Sequence, residues 1–82
     1  MDIRPLTVPG SFVVTPKIHG DDRGEFVEWF RADLLKQATG LEFSVAQANL
    51  SVSAKGTLRG IHFADVPPGQ AKYVMCSSGS IE

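Results

Sequence analysis

The sequence predicts an all-β chain, and three observations carry that prediction. Residues 25–30 read as a strand, and over residues 47–53 polar and apolar residues alternate with a period of two. Turn-forming clusters at residues 19–24, 54–56 and 67–69 punctuate these segments at short intervals. Only residues 31–39 have helical spacing, so the alternating helices of a parallel sheet are missing and an antiparallel meander is expected.

Residues 1–10, with Pro5, Pro9 and Gly10, predict an irregular arm holding at most a short strand. Ser11 to Thr15 is β-branched and aromatic and predicts a strand that Pro16 ends or marks as an edge. His19-Gly20-Asp21-Asp22-Arg23-Gly24 reads as a turn. Glu25 to Phe30 then reads as a strand in which Glu25, Val27 and Trp29 share one face and Phe26, Glu28 and Phe30 the other. Glu28 thus lies between two phenylalanines, where a carboxylate needs a partner. The aromatic side chains Phe26, Trp29 and Phe30 are expected in a core or interface.

Leu34, Leu35 and Ala38 fall at helical spacing, with Gly40 as a C-terminal stop and no good N-cap. Phe43 to Ser53 returns to strand, with Ala48, Leu50 and Val52 on one face and Gln47, Asn49, Ser51 and Ser53 on the other. Ala54-Lys55-Gly56 turns, Thr57 to Phe63 is a further strand, Asp65 to Gln70 is a Pro-Pro-Gly loop, and Ala71 to Ser77 is apolar apart from Lys72. Five or six strands this short leave open edges, so either a second copy covers them or the chain is the front part of a longer barrel.

The 82 residues allow one small domain, and 43% apolar residues suit a globular one. The net charge of −1 offers no basic excess for nucleic acid or an anionic membrane. Any anion must be bound by a few placed cations. The lone cysteine, Cys76, makes no internal disulfide, which points to the cytoplasm. The N-terminus lacks the apolar segment of a signal peptide, and no apolar run reaches the roughly 20 residues that span a bilayer.

The densest chemistry lies between Gln47 and Lys72. His62 is open to two uses, a half-buried structural histidine or a general base active near neutral pH. A metal is not expected: the second histidine, His19, is far upstream, and no His-x-His pair is present. Arg59 and Lys72 are either solubilising cations or, with Arg23, ligands for a diphosphate. In a regular strand Arg59 and His62 face opposite ways, so both reach one pocket only if the chain bends at Gly60. The row from Gln47 to Ser53 is either a solvent face or a pocket wall that reads a polar ligand.

Four motifs taken together are more specific. Asp22-Arg23-Gly24-Glu25-Phe26-Val27-Glu28, Gln47-Ala48-Asn49-Leu50-Ser51, Gly56-Thr57-Leu58-Arg59-Gly60-Ile61-His62-Phe63 and Pro68-Gly69-Gln70-Ala71-Lys72-Tyr73-Val74 resemble the dTDP-4-dehydrorhamnose 3,5-epimerase family in order and spacing. The resemblance covers nearly the whole chain, but only the front part of the family pattern.

It implies an RmlC-like cupin jelly roll, here incomplete, with residues 1–82 as the N-terminal part of a single domain. It also implies a cytoplasmic homodimer with exchanged N-terminal strands. The activity it implies is epimerisation at C3 and C5 of a 4-keto-6-deoxy sugar on dTDP, without metal or cofactor. His62 is then the base and Lys72 the cation on the enolate oxygen. Arg59 and Arg23 are diphosphate ligands, and Glu28, Gln47 and Asn49 are substrate contacts. The family's acid tyrosine and the carboxylate that orients its histidine have no position in this sequence, and Tyr73 does not match the acid. An inactive portion of an epimerase is therefore expected. The alternatives are an epimerase of one carbon in an antibiotic-sugar pathway, a non-catalytic sugar-nucleotide-binding cupin, and a metal-dependent cupin.

Overall fold

A computed structural model describes residues 1–82. The chain forms two compact units, residues 1–47 and 48–82. All regular secondary structure belongs to the first.

In that unit β1 (Asp2–Pro5) pairs antiparallel with β2 (Phe12–Thr15), from Asp2 opposite Thr15 to Pro5 opposite Phe12. The short strand in the N-terminal arm is therefore present, and Pro5 stands at its end, where a missing N–H costs no internal ladder bond. The connection is closed by the Leu6 N–H donating to the Ser11 carbonyl at 2.9 Å and the Ser11 hydroxyl donating to the Val8 carbonyl at 2.6 Å. Gly10 supplies the left-handed backbone this turn requires, at φ 81°.

The second hairpin joins β3 (Ile18–Asp21) to β4 (Gly24–Val27). Its register runs from Ile18 opposite Val27 to Asp21 opposite Gly24, which leaves Asp22 and Arg23 as a two-residue loop. Two expectations are corrected here. The turn is not six residues long, because His19, Gly20, Asp21 and Gly24 enter the ladder. The strand expected over residues 25–30 stops at Val27, because its partner β3 starts at Ile18 and Pro16 has no N–H to extend the pairing.

Helix α1 (Ala32–Thr39) forms where expected. Leu35 is its buried residue, at 6% exposure, while Leu34 is half-buried and Ala38 exposed. Gly40 ends it in the left-handed conformation, its N–H donating to the Lys36 carbonyl at 2.8 Å. The Thr39 hydroxyl donates to the Leu35 carbonyl at 2.7 Å and accepts from the Leu41 N–H at 3.1 Å, which also satisfies groups at the helix end. Phe30 and Phe43 meet edge-to-face with centroids 5.8 Å apart. Phe26 and Trp29, expected in a core or interface, are exposed, so neither lies in a core of this chain. α1 is too short to cross a membrane, and no other helix is present.

The second unit holds neither strand nor helix. Its turns fall where the sequence puts them: the Thr57 N–H donates to the Ala54 carbonyl at 3.2 Å, and the Gly69 N–H to the Asp65 carbonyl at 2.8 Å. The strands expected over residues 43–53 and 57–63 do not form. Alternation fixes the face a side chain would take, but a strand exists only when a second segment matches its N–H and C=O groups. Leu58 and Ile61 are accordingly almost fully exposed, at 96% and 97%.

Candidate functional site

In the first unit the β3–β4 hairpin gathers most of the polar chemistry. His19 stands directly across the ladder from Phe26, and Asp21 from Gly24, so the period of two puts these positions on one face. An open depression of about 290 Å3 is lined by His19, Asp21, Arg23, Gly24, Glu25 and Phe26. A second, of about 220 Å3, is lined by Met1, Lys17, His19, Phe26 and Glu28. Arg23 thus borders one depression and Glu28 the other.

Arg23 is held by its neighbour. Asp21 Oδ2 accepts from Arg23 Nη2 at 2.6 Å and Nε at 3.2 Å, and Oδ1 accepts from the Arg23 backbone N–H at 2.8 Å. These bonds favour the ionised form, so the Asp21 carboxyl lies below the usual carboxylate range, the side-chain bond contributing most. Glu28 finds the partner the sequence called for in Arg31, whose Nη1 lies 3.1 Å from Glu28 Oε1. The same guanidinium grips Asp33, with Nε to Oδ1 at 2.8 Å and Nη2 to Oδ2 at 2.6 Å, and holds that carboxyl at about 2. Gln47 is exposed at the end of this unit.

In the second unit Arg59 Nε donates to Ser53 Oγ at 2.7 Å across the Ala54–Thr57 turn. The polar row and the cation therefore meet at Ser53. Gly60 has φ 135°, a backbone conformation outside the strand region. Asn49, His62 and Lys72 are exposed on irregular backbone. Tyr73 is half-buried, and burial raises its hydroxyl above the ordinary tyrosine range. The expected site residues fall into two groups: Arg23, Glu28 and Gln47 in the first unit, and Asn49, Arg59, His62 and Lys72 in the second.

Sequence reasoning missed two features. His19 lies in a ladder and not in the expected turn, and the signal is that Lys17, His19 and Asp21 alternate with the strand period. Arg31, expected only as the start of a helix, bridges two carboxylates. The carboxylates three residues before and two after it were the available signal.

Solved structures give the fold a wider frame. The 4-keto-6-deoxy sugar epimerase NovW, from the novobiocin cluster of Streptomyces spheroides, matches with a TM-score of 0.80 and 49% identity, over 84% of this chain and 35% of that one. The chain is thus part of a cupin jelly roll of the epimerase type. It belongs to the dTDP-4-dehydrorhamnose 3,5-epimerase family, whose profile matches residues 5–82.

Among curated relatives, a dTDP-4-dehydrorhamnose 3-epimerase of Streptomyces niveus is 51% identical over 99% of this chain and 39% of its own length. A dTDP-4-dehydrorhamnose 3,5-epimerase of Mycobacterium tuberculosis is also 51% identical, over 99% of this chain and 40% of its own length. The chain therefore spans about two fifths of the length of the relatives it matches.

Proposed function

We propose that the protein carrying this chain epimerises C3 and C5 of dTDP-4-dehydro-6-deoxyglucose, giving dTDP-4-dehydro-L-rhamnose. The observation that carries this reading is the family match over residues 5–82, a segment that contains all seven expected site residues. The C4 ketone acidifies the neighbouring C–H bonds. His62 removes a proton, the electron pair moves onto the ketone oxygen, and Lys72 stabilises the enolate. An acid returns a proton to the opposite face and the ketone re-forms. One C–H proton replaces another with no change of oxidation state, so the step needs no redox cofactor.

Arg59 and Arg23 bind the diphosphate, and Glu28, Gln47 and Asn49 contact the sugar and base. The working form is a cytoplasmic homodimer with exchanged N-terminal strands. The exposed apolar side chains of Leu50, Val52, Leu58, Ile61 and Phe63 support an assembly in which further protein covers them.

A second reading, epimerisation of C3 alone, is favoured by the Streptomyces niveus relative, whose name specifies one carbon and whose identity equals that of the two-carbon enzyme. Incubation of the complete protein with the keto sugar nucleotide in D2O separates the two. Deuterium at both C3 and C5 is expected. Deuterium at C3 alone selects the one-carbon reading, and binding without any exchange removes the enzymatic one.

A further inference from the structure

The segment between β4 and α1 joins a proposed ligand contact to the start of a helix. Glu28 follows β4, and Arg31 occupies the N-cap position of α1 in extended conformation, at φ −139° and ψ 110°. Arg31 makes no side-chain capping bond. Its guanidinium is instead fixed from one edge by both oxygens of Asp33, in the first turn of α1, through Nε and Nη2. A carboxylate there is favoured by the helix dipole. The fork is rigid and planar, so gripping one edge sets the direction of the remaining donor, Nη1. That donor meets Glu28 Oε1 at 3.1 Å. Glu28 Oε2 takes no part in the contact, and Glu28 lines the 220 Å3 depression beside Lys17, His19 and Phe26.

We propose that Arg31 is a positioning residue: braced by Asp33, it sets the carboxylate of Glu28 for a hydrogen-bond donor of the sugar nucleotide. The inference rests on the proposed role of Glu28 as a substrate contact. Glu28 and Arg31 side chains are 51% and 42% exposed, and ion pairs this open contribute little to stability. The consequence of the pair lies in placement. Without it Glu28 samples other rotamers on an unpaired loop, and the ligand must order it on binding.

The test is a double-mutant cycle in the complete protein, read in both turnover and dTDP-sugar binding. Arg31→Ala is expected to raise KM about three- to tenfold with kcat within about twofold. On a Glu28→Gln background the same change should have no further effect. Arg31→Lys keeps the charge without the fork and should recover only part of the loss. Asp33→Asn loosens the brace from the other side, provides a second variant should Arg31→Ala not fold, and should raise KM in the same direction. An unchanged KM in these variants overturns the proposal, as does an equal loss with and without Glu28. Wild-type protein that binds the sugar nucleotide without exchanging its protons defeats the epimerase reading alone, and the coupling is then scored in Kd. Absence of binding overturns both.

Discussion

Asp21 closes a ring on Arg23: its two carboxylate oxygens accept the backbone N–H and two guanidinium nitrogens of the residue two positions on. The hairpin loop is only Asp22 and Arg23, so this contact orders the one cation at its tip. A cation presented this way is preorganised for an anion, yet Asp21 also competes for it.

That relationship predicts a titration. The Asp21 carboxyl should titrate below the ordinary value of about 3.9, because its ionised form accepts the Arg23 bonds. The folded value is depressed, so the stabilisation is present above the unfolded value and is lost as pH falls through the folded one. Carboxyl carbon shifts followed by NMR against pH measure it. Arg23→Ala should return the midpoint to the ordinary range, and an unshifted midpoint in the wild type would show the ring to be open in solution.

Leu35 is the buried side chain of α1. Leu35→Ala should destabilise the complete protein by about 2 kcal/mol, at the low end for such truncations because the half-open surroundings can close in. Chemical denaturation checks this, and a loss below roughly 0.5 kcal/mol means the helix packs little in solution.

Gly40 offers a purely conformational test. Its φ is 75°, and a Cβ built there meets nothing within 4 Å. Gly40→Ala should therefore cost roughly 1–2 kcal/mol through backbone strain alone. A neutral change in the same denaturation assay would mean that the left-handed cap is not kept.

His62→Ala should abolish solvent deuterium exchange into the keto sugar while largely sparing its binding, as expected for a group that moves a proton. Exchange at the wild-type rate would take His62 out of the base role.

Arg59→Ala should weaken dTDP binding by roughly 1.5–3 kcal/mol, the range for one charge-assisted hydrogen bond. Ser53→Ala, which removes the hydroxyl that holds Arg59 Nε, should weaken it less. Calorimetry distinguishes this from a structural Arg59, for which affinity stays the same.

The sequence by itself determined what depends on neighbours along the chain. β2 stops before Pro16 and α1 stops at Gly40, because each effect is written into one residue's own dihedral freedom. The turns at Ala54–Thr57 and Asp65–Gly69 follow from the same local chemistry. The four spaced motifs also placed the chain in its family.

Pairing was not legible, because alternation gives a face without naming a partner. Only the tertiary structure decided that β4 ends at Val27, that His19 faces Phe26, and that residues 57–63 form no ladder. It also decided that Arg31 joins Glu28 to Asp33. A hydrogen bond between side chains depends on distance and direction in space, and neither is a property of sequence spacing alone.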